Sequence, residues 1–397
     1  MTMETPSGAI PVALINNSVT PYRLHLHTRL AREMPDLQFW SLFTHDRSNS
    51  PWQFNAPPEI RPVFFGPGEQ SLARNSFRLQ RREWRKAGAI LRWIDGHGIR
   101  GVILGGYNDI GRLRILCWCR RRKVPCFVFG DSNVHCDSTS GWKGWLKALL
   151  LPPLLRLAAG ILYCGKLGEQ YFRLYGVPTE RLFRFPYEPD YTRIQNVRSE
   201  AIDAARRAYT LRAERRYLIY SGRLIAIKRV DLLLQAFLRI APLRPDWDLI
   251  IAGAGDQLEP LHAMLPAQFA GRVIWTGFIN EPDTLAALYS LAHALVLPSD
   301  YEPWGVVVTE AAVRMPVIAS AVVGAAADVI ADGVNGRIFR AGDVDALQEC
   351  LLDVTDPSTL SAMTAAAPAQ FATWHSMSDP VRGLRAALDS VDLSRPA

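Results

Sequence analysis

Two glutamates with seven residues between them stand in one mostly apolar stretch, SDYEPWGVVVTEAAVRMPVIAS, residues 299 to 320: Glu302 and Glu310. A carboxylate buried alone among valines and alanines is costly, so each needs a partner, a ligand or a proton. The run ALVLPS (294–299) reads as a strand and the helical pattern starts near Val306. Glu302 therefore falls in the loop at the C-terminal end of a strand, and Glu310 in or beside the first helical turns. Gly305 lets the backbone approach a ligand, with Trp304 expected to be exposed beside it. The free N–H groups from Val306 onward would form an anion site. A carboxylate placed there can accept hydrogen bonds from paired sugar hydroxyls, as acidic residues do with ribose in dinucleotide folds. A single glutamate could be a charge at a helix N-terminus; two beside Trp304 and Gly305 fit that account less easily.

The cations come from a second loop. YLIYSGRLIAIKRVDLLLQAF (217–237) puts Ser221, Gly222 and Arg223 just past a strand, and Lys228 five residues later. Arginine offers a planar fork and lysine a point charge, a combination suited to a diphosphate. The plainer alternative is two solvated surface cations. IAGAGDQ (251–257) adds Gly253 and Gly255 after a further strand. One GxG is weak evidence, but three strand-end loops in the same half strengthen one another. In the first half, NNSVTPYR (16–23) and GDSNVH (130–135) also follow strands and supply Asn17, Ser18, Tyr22, Asp131, Ser132 and His135. His135 could contact a sugar, accept a proton or be structural; His25 and His27, on a helical pattern, read as structural.

These loops need a scaffold of strands that end at one edge. Short apolar runs alternate with helical patterns through most of the 397 residues, which predicts α/β architecture with mostly parallel sheets. The segment 142–159 reads as a helix pair broken at Pro152 and Pro153. The polar stretch 185–216 contains no strand pattern and interrupts the alternation, giving two Rossmann-like domains expected to face each other across a cleft. The expected boundaries are 1–195, joined by a C-terminal helix at about 375–397, and 196–374. Residues 1–195 hold 27 Lys+Arg against 15 Asp+Glu, a net +12, whereas the remainder carries −5 of the total +7. The basic first half points to an anionic partner. Six cysteines at spacings that match no common zinc pattern read as reduced core thiols. The N-terminal residues lack a signal-peptide pattern, and no apolar run reaches the roughly 18 residues of a membrane span. These features suggest a cytoplasmic protein, or one bound to a membrane from the cytosolic side.

The motifs carry a resemblance. Over about 217–342 the order GR-x4-K, a Gly-rich strand end, G-F before an acidic helix, PS-x2-E-x2-G-x4-E-A, PVIAS and DGVNG resembles the donor domain of the GT-B retaining glycosyltransferases of family 4. The resemblance implies that Arg223 and Lys228 bind the donor diphosphate and stabilise its departure, and that Glu310 binds the ribose. It implies that Glu302, with N–H groups near Gly305 and Val306, holds the transferred sugar, and that Phe278 and Ile279 lie near the base. It makes the first half the acceptor domain, on which the C-terminal helix would pack. It implies a retaining front-side displacement from a nucleotide sugar to a glycan or lipid-linked acceptor, as in polysaccharide or glycolipid synthesis. No D-x-D motif is visible, so no metal and no other cofactor is expected. WKGWLKALLLPPLLRL, CRRRK (119–123) and RLQRREWRK (78–86) could lie on an anionic membrane such as the inner membrane; the alternative is a core Leu block with solvated cations. Rival readings are a phosphorylase, an epimerase, or a non-catalytic binder of nucleotide sugars or anionic surfaces. No nucleic-acid module is apparent.

Overall fold

The computed structural model describes residues 8–45, 56–66, 77–137 and 141–394. Residues 1–7, where the absence of a signal peptide was read, and 395–397 of the expected C-terminal segment lie outside the described residues, as do the side chains of Arg78 and Lys143. The chain divides into a first unit, Met1–Pro189 with Ser378–Ala397, and a second, Asp190–Met377. The chain thus passes between units at 189/190 and 377/378, where the sequence pattern suggested 195/196 and 374/375.

The first unit contains β1 (Ile10–Asn16), β2 (Leu37–Phe43), β3 (Pro62–Phe64), β4 (Gly101–Gly105), β5 (Cys126–Gly130), β6 (Gly160–Tyr163) and β7 (Leu182–Arg184). They form one parallel sheet in the order β3-β2-β1-β4-β5-β6-β7. The second contains β8 (Arg216–Ser221), β9 (Trp247–Ala252), β10 (Val273–Gly277), β11 (Ala294–Leu297), β12 (Val317–Ser320) and β13 (Gly336–Phe339). Its parallel order is β10-β9-β8-β11-β12-β13. Central strands such as WDLIIA (β9) are buried at every position because helices cover both faces. In each sheet the winding reverses once, between β1 and β4 and between β8 and β11. Open α/β sheets bind ligands at the strand C-termini beside such a reversal.

Three strands escape the sequence pattern: β3, β7 and β13. Each ends a sheet, is three or four residues long and pairs on one side only, so little in its composition marks it. The expected break at Pro152 and Pro153 is also corrected. Gly141–Leu155 is one helix with both prolines in its final turn. The helix continues through them, and Leu151 and Leu155 on either side are buried, so packing holds the last turn although each proline removes one N–H donor. Two helices, Tyr191–Gln195 and Ser199–Ala208, occupy the polar stretch, and the Ala-rich helix Pro357–Met377 closes the second unit. All six cysteines are free thiols.

The return of the chain to the first unit is tightly anchored. Arg184 donates to the Ser378 hydroxyl at 2.9 Å. Arg29 joins Glu188 at 2.7 Å and Asp379 at 3.3 Å, and Asp379 caps the helix Pro380–Asp389. Arg385 grips Asp36 with both terminal nitrogens, at 2.6 and 2.7 Å. Gly383 lies so close to the Arg184 carbonyl that a Cβ would overlap its oxygen. Gly383→Ala should therefore destabilise the protein by about 1–3 kcal/mol. Gly96→Ala, which meets nothing within 4 Å, should be neutral or slightly stabilising. Thermal unfolding of the two variants tests this, and equal melting temperatures would reject the packing account.

Candidate active site

The polar groups of the second unit gather at the C-terminal ends of β8 and β11. Main-chain bonds carry the β8–β9 pairing past the strands: Gly222 N–H to Ala252 O at 3.0 Å, Leu224 N–H to Ala254 O at 2.9 Å, and Gln257 N–H to Leu224 O at 3.0 Å. A Cβ on Gly253 would overlap the Gly222 carbonyl, and one on Gly255 the Leu224 carbonyl. The two glycines are thus required first of all by loop-to-loop packing. Arg223, between the bonded residues, is exposed, and its carbonyl accepts from the buried Tyr220 hydroxyl at 2.8 Å.

Past β11 the chain turns through Asp300 and Glu302 to Gly305, whose φ of +89° favours glycine. An added Cβ would meet Val323 Cγ1 at 2.9 Å. Gly324 N–H donates to Glu302 O at 3.1 Å and Ala325 N–H to Trp304 O at 2.7 Å, fixing the turn from behind. Asp300 N–H donates to Ile227 O at 2.9 Å, and Arg229 reaches the Asp300 carboxylate at 2.9 Å. This crosslink brings the short turn Ala226–Lys228 over the β11 loop, where Lys228 ion-pairs with Glu302.

Glu310 lies in the helix Val306–Ala312 and accepts from the Tyr289 hydroxyl at 3.0 Å. Tyr289 is buried, and the Ser221 side chain at the end of β8 acts on the same hydroxyl that reaches Glu310. Burial pushes the Glu310 carboxyl up from 4.5 to about 7, opposed by the Tyr289 hydrogen bond. Sequence reasoning missed Tyr289; its only signal was one aromatic hydroxyl in the apolar helix before β11. The expectation that Trp304 is exposed is corrected. The residue is 2% exposed and its indole packs beside Trp374, with ring centroids 6.3 Å apart, so it supports the turn from within and does not face a ligand. Val306 is half-buried at the helix start, and Phe278 and Ile279 follow β10 at the sheet edge, Ile279 buried. Among the predicted residues the structure joins Ser221 to Glu310 and Lys228 to Glu302.

The first-unit candidates stand at the ends of β1 and β5. Asn17 is exposed, and its side-chain oxygen accepts from Arg112. Ser18 is buried, with its carbonyl taken by Arg23 at 2.9 Å. Tyr22 stacks edge-on against Tyr187 at 4.8 Å, and the Tyr187 hydroxyl donates to Asp131 at 3.1 Å. Asp131 and Tyr22 are thereby joined through a residue the sequence reading did not single out. Ser132 pairs with the Tyr107 hydroxyl at 2.9 Å. His135 is exposed on a short turn held by the Asn133 side chain, which accepts from its N–H at 2.9 Å. His27 is a core residue between Asn16 (3.2 Å) and Ser41 (2.8 Å), pushed down to about 3 by burial.

With this geometry in view, the comparisons are specific. Residues 201–368 match the family Glycosyl transferases group 1. An uncharacterized glycosyltransferase of Methanocaldococcus jannaschii is 37% identical over 135 residues, a third of each chain. The chain spans from a third to just under three fifths of the length of the first curated relatives it matches. Two solved structures match nearly end to end. A sucrose-phosphate synthase from Thermosynechococcus elongatus has a TM-score of 0.76 at 20% identity, covering 96% of this chain and 100% of that one. Anabaena HepE in complex with UDP and glucose has a TM-score of 0.71 at 15% identity, covering 96% and 99%. The fold is the GT-B fold, with one Rossmann-like parallel sheet in each unit. The segment that matches the family lies within the second unit.

A raised carboxyl makes a test independent of any ligand. Ionising Glu310 costs more in the folded chain than in the unfolded one. The stability this group contributes is complete below about pH 4.5 and is lost as pH rises through about 7. Glu310→Gln should therefore gain on wild type between pH 5 and pH 8, by on the order of 2 kcal/mol. Denaturant unfolding at the two pH values measures the gap, and a pH-independent difference would reject the burial account.

Proposed function

We propose that the protein is a retaining glycosyltransferase that moves a sugar from a nucleotide-diphosphate donor to a hydroxyl of a glycan or lipid-linked acceptor. The observation that carries this reading is the pairing at the β8–β11 reversal: Lys228 with Glu302, and Ser221 through Tyr289 with Glu310. One carboxylate and two cations stand on loops crosslinked by main-chain bonds, and the second carboxylate on the helix that follows, at the sheet position where α/β folds bind nucleotides. The UDP in the Anabaena structure of like fold supports the same ligand class.

In this reading Arg223 and Lys228 hold the diphosphate and stabilise the negative charge that grows as it leaves the anomeric carbon. Glu310 accepts from the ribose hydroxyls. Glu302 and the N–H groups near Gly305 and Val306 hold the transferred sugar. In the free protein Lys228 and Glu302 satisfy each other; a donor brings phosphate oxygens to one and hydroxyls to the other, so the pair is exchanged without leaving a bare charge. Phe278 and Ile279 lie on the base side. The first unit binds the acceptor through Asn17, Ser18, Tyr22, Asp131 and Ser132, with His135 available to the acceptor hydroxyl. Substitution on the face the diphosphate leaves, through an oxocarbenium-like state, needs no protein nucleophile. Charge stabilisation by Arg223 and Lys228 calls for no metal. The net +12 of residues 1–195 supports work beside an anionic membrane on the cytoplasmic side, in polysaccharide or glycolipid assembly.

The test is a panel of UDP-, GDP- and ADP-sugars, read by thermal shift and slow donor hydrolysis. One donor should stabilise wild type. Arg223→Ala and Glu310→Ala should abolish the shift, and Arg223→Ala should lower hydrolysis by about 10²–10³. If no donor shifts the wild type, or both variants respond as it does, the nucleotide-sugar reading fails.

A further inference from the structure

The helix Gly141–Leu155 has two opposite faces. Leu151 and Leu155 point inward and are 5% and 2% exposed. On the other side Trp142 is 71% exposed, Trp145 68%, Leu146 38%, Leu149 56% and Leu150 56%. Residues 142, 145, 146, 149 and 153 repeat at intervals of three and four, so Trp142, Trp145, Leu146, Leu149 and the exposed Pro153 form one stripe. A stripe of two tryptophans, two leucines and a proline facing water, with Leu150 exposed beside it, is costly and marks an interaction surface.

Charge identifies what covers it. Between Asp137 and Glu169 the sequence has no carboxylate but four cations: Lys143, Lys147, Arg156 and Lys166. Arg156 and Lys166 are exposed. At the helix C-terminus Arg181 donates to Leu155 O at 3.3 Å, and Arg120 stands near enough to act on the Arg181 charge. Tryptophan and leucine on one face with cations around them suit the boundary between anionic headgroups and acyl chains. No helix among the described residues is long and apolar enough to cross a membrane, so this one would lie along the surface.

The helix is also wired to the acceptor-side loop. Lys147 Nζ binds Asp137 at 2.7 Å and lies over the rings of Tyr171 and Tyr175, at 5.1 and 5.4 Å. The Tyr175 hydroxyl donates to Asp137 at 2.5 Å. Tyr107 then bridges Tyr171, at 3.3 Å, and Ser132, at 2.9 Å. We infer that Gly141–Leu155 is a membrane-surface helix that seats the first unit on an anionic bilayer and holds the Asp131–His135 loop at its edge. The acceptor class that follows, resting on the transferase reading above, is an amphiphile: a hydroxyl on a headgroup whose acyl or prenyl part stays in the membrane.

The experiment uses the full chain and vesicles of phosphatidylcholine with or without phosphatidylglycerol. Wild type should sediment with the phosphatidylglycerol vesicles, and its tryptophan emission should move to shorter wavelength. Amide exchange should slow over 141–155 and 131–137. The double variant Trp142→Ser, Trp145→Ser should bind at least about tenfold more weakly, with the wild-type melting temperature and the wild-type response to nucleotide sugars. Equal binding by the variant, no sedimentation, or protection confined to other segments overturns the proposal. So does a wild-type dimer in size-exclusion chromatography that the double variant splits, since the stripe then belongs to a second copy. The nucleotide-sugar shift reports separately on the transferase reading, so either can fail alone.

Discussion

The missing Cβ of Gly253 decides where the donor-side loops stand. With any side chain there, the Gly222 carbonyl would have to move, and with it the main-chain ladder that carries β8 and β9 beyond their strands. Gly255 repeats the arrangement against Leu224, and Gly324 against Pro303. Loops are ordinarily the mobile part of such a sheet. Here three glycines let backbone press on backbone, so the loop atoms are fixed by hydrogen bonds and not by side-chain packing. Arg223 is held outward as a result, and Lys228 is carried to Glu302.

The buried charges follow from that scaffold. Glu302 is tolerated because Lys228 meets it, and the lysine is positioned by the Asp300–Ile227 and Arg229–Asp300 links. Among the described residues Glu310 meets the Tyr289 hydroxyl and no cation, and burial raises its affinity for the proton. The two carboxylates thus differ in chemistry although they lie eight positions apart: one is neutralised by a partner, the other by burial. A ligand that offers hydroxyls to Glu310 favours its ionised form.

The first unit solves a different problem. Its polar groups at the β1 and β5 ends are joined through aromatic hydroxyls, Tyr187 to Asp131 and Tyr107 to Ser132. Aromatic rings fill space and still present a polar tip, which keeps these loops packed and hydrogen-bonded together. The same network continues through Tyr171 to Lys147, so the surface helix and the Asp131–His135 loop are parts of one packed body.

The alternation of apolar runs and helical patterns was enough to foresee parallel sheets and two units, because buried central strands need continuous apolar sequence. Residue order also placed Arg223, Lys228 and Glu302 on strand-end loops, since a strand followed by Gly and polar residues turns there, and Glu310 in the first turns of the helix that follows. Edge strands β3, β7 and β13 were not legible, because pairing on one side asks little of composition. Nor was the role of Tyr289, which becomes a site residue only when the β8–β11 pairing brings Ser221 and Glu310 to the same hydroxyl. Trp304 shows the converse: its neighbours in sequence suggested exposure, whereas Trp374 of the helix Pro357–Met377 packs against it from far along the chain. The sequence by itself set which groups carry charge and at which strand ends they fall. Which charge meets which partner, and which aromatic faces water, was decided by contacts between residues far apart in the chain, whose proximity no local pattern encodes.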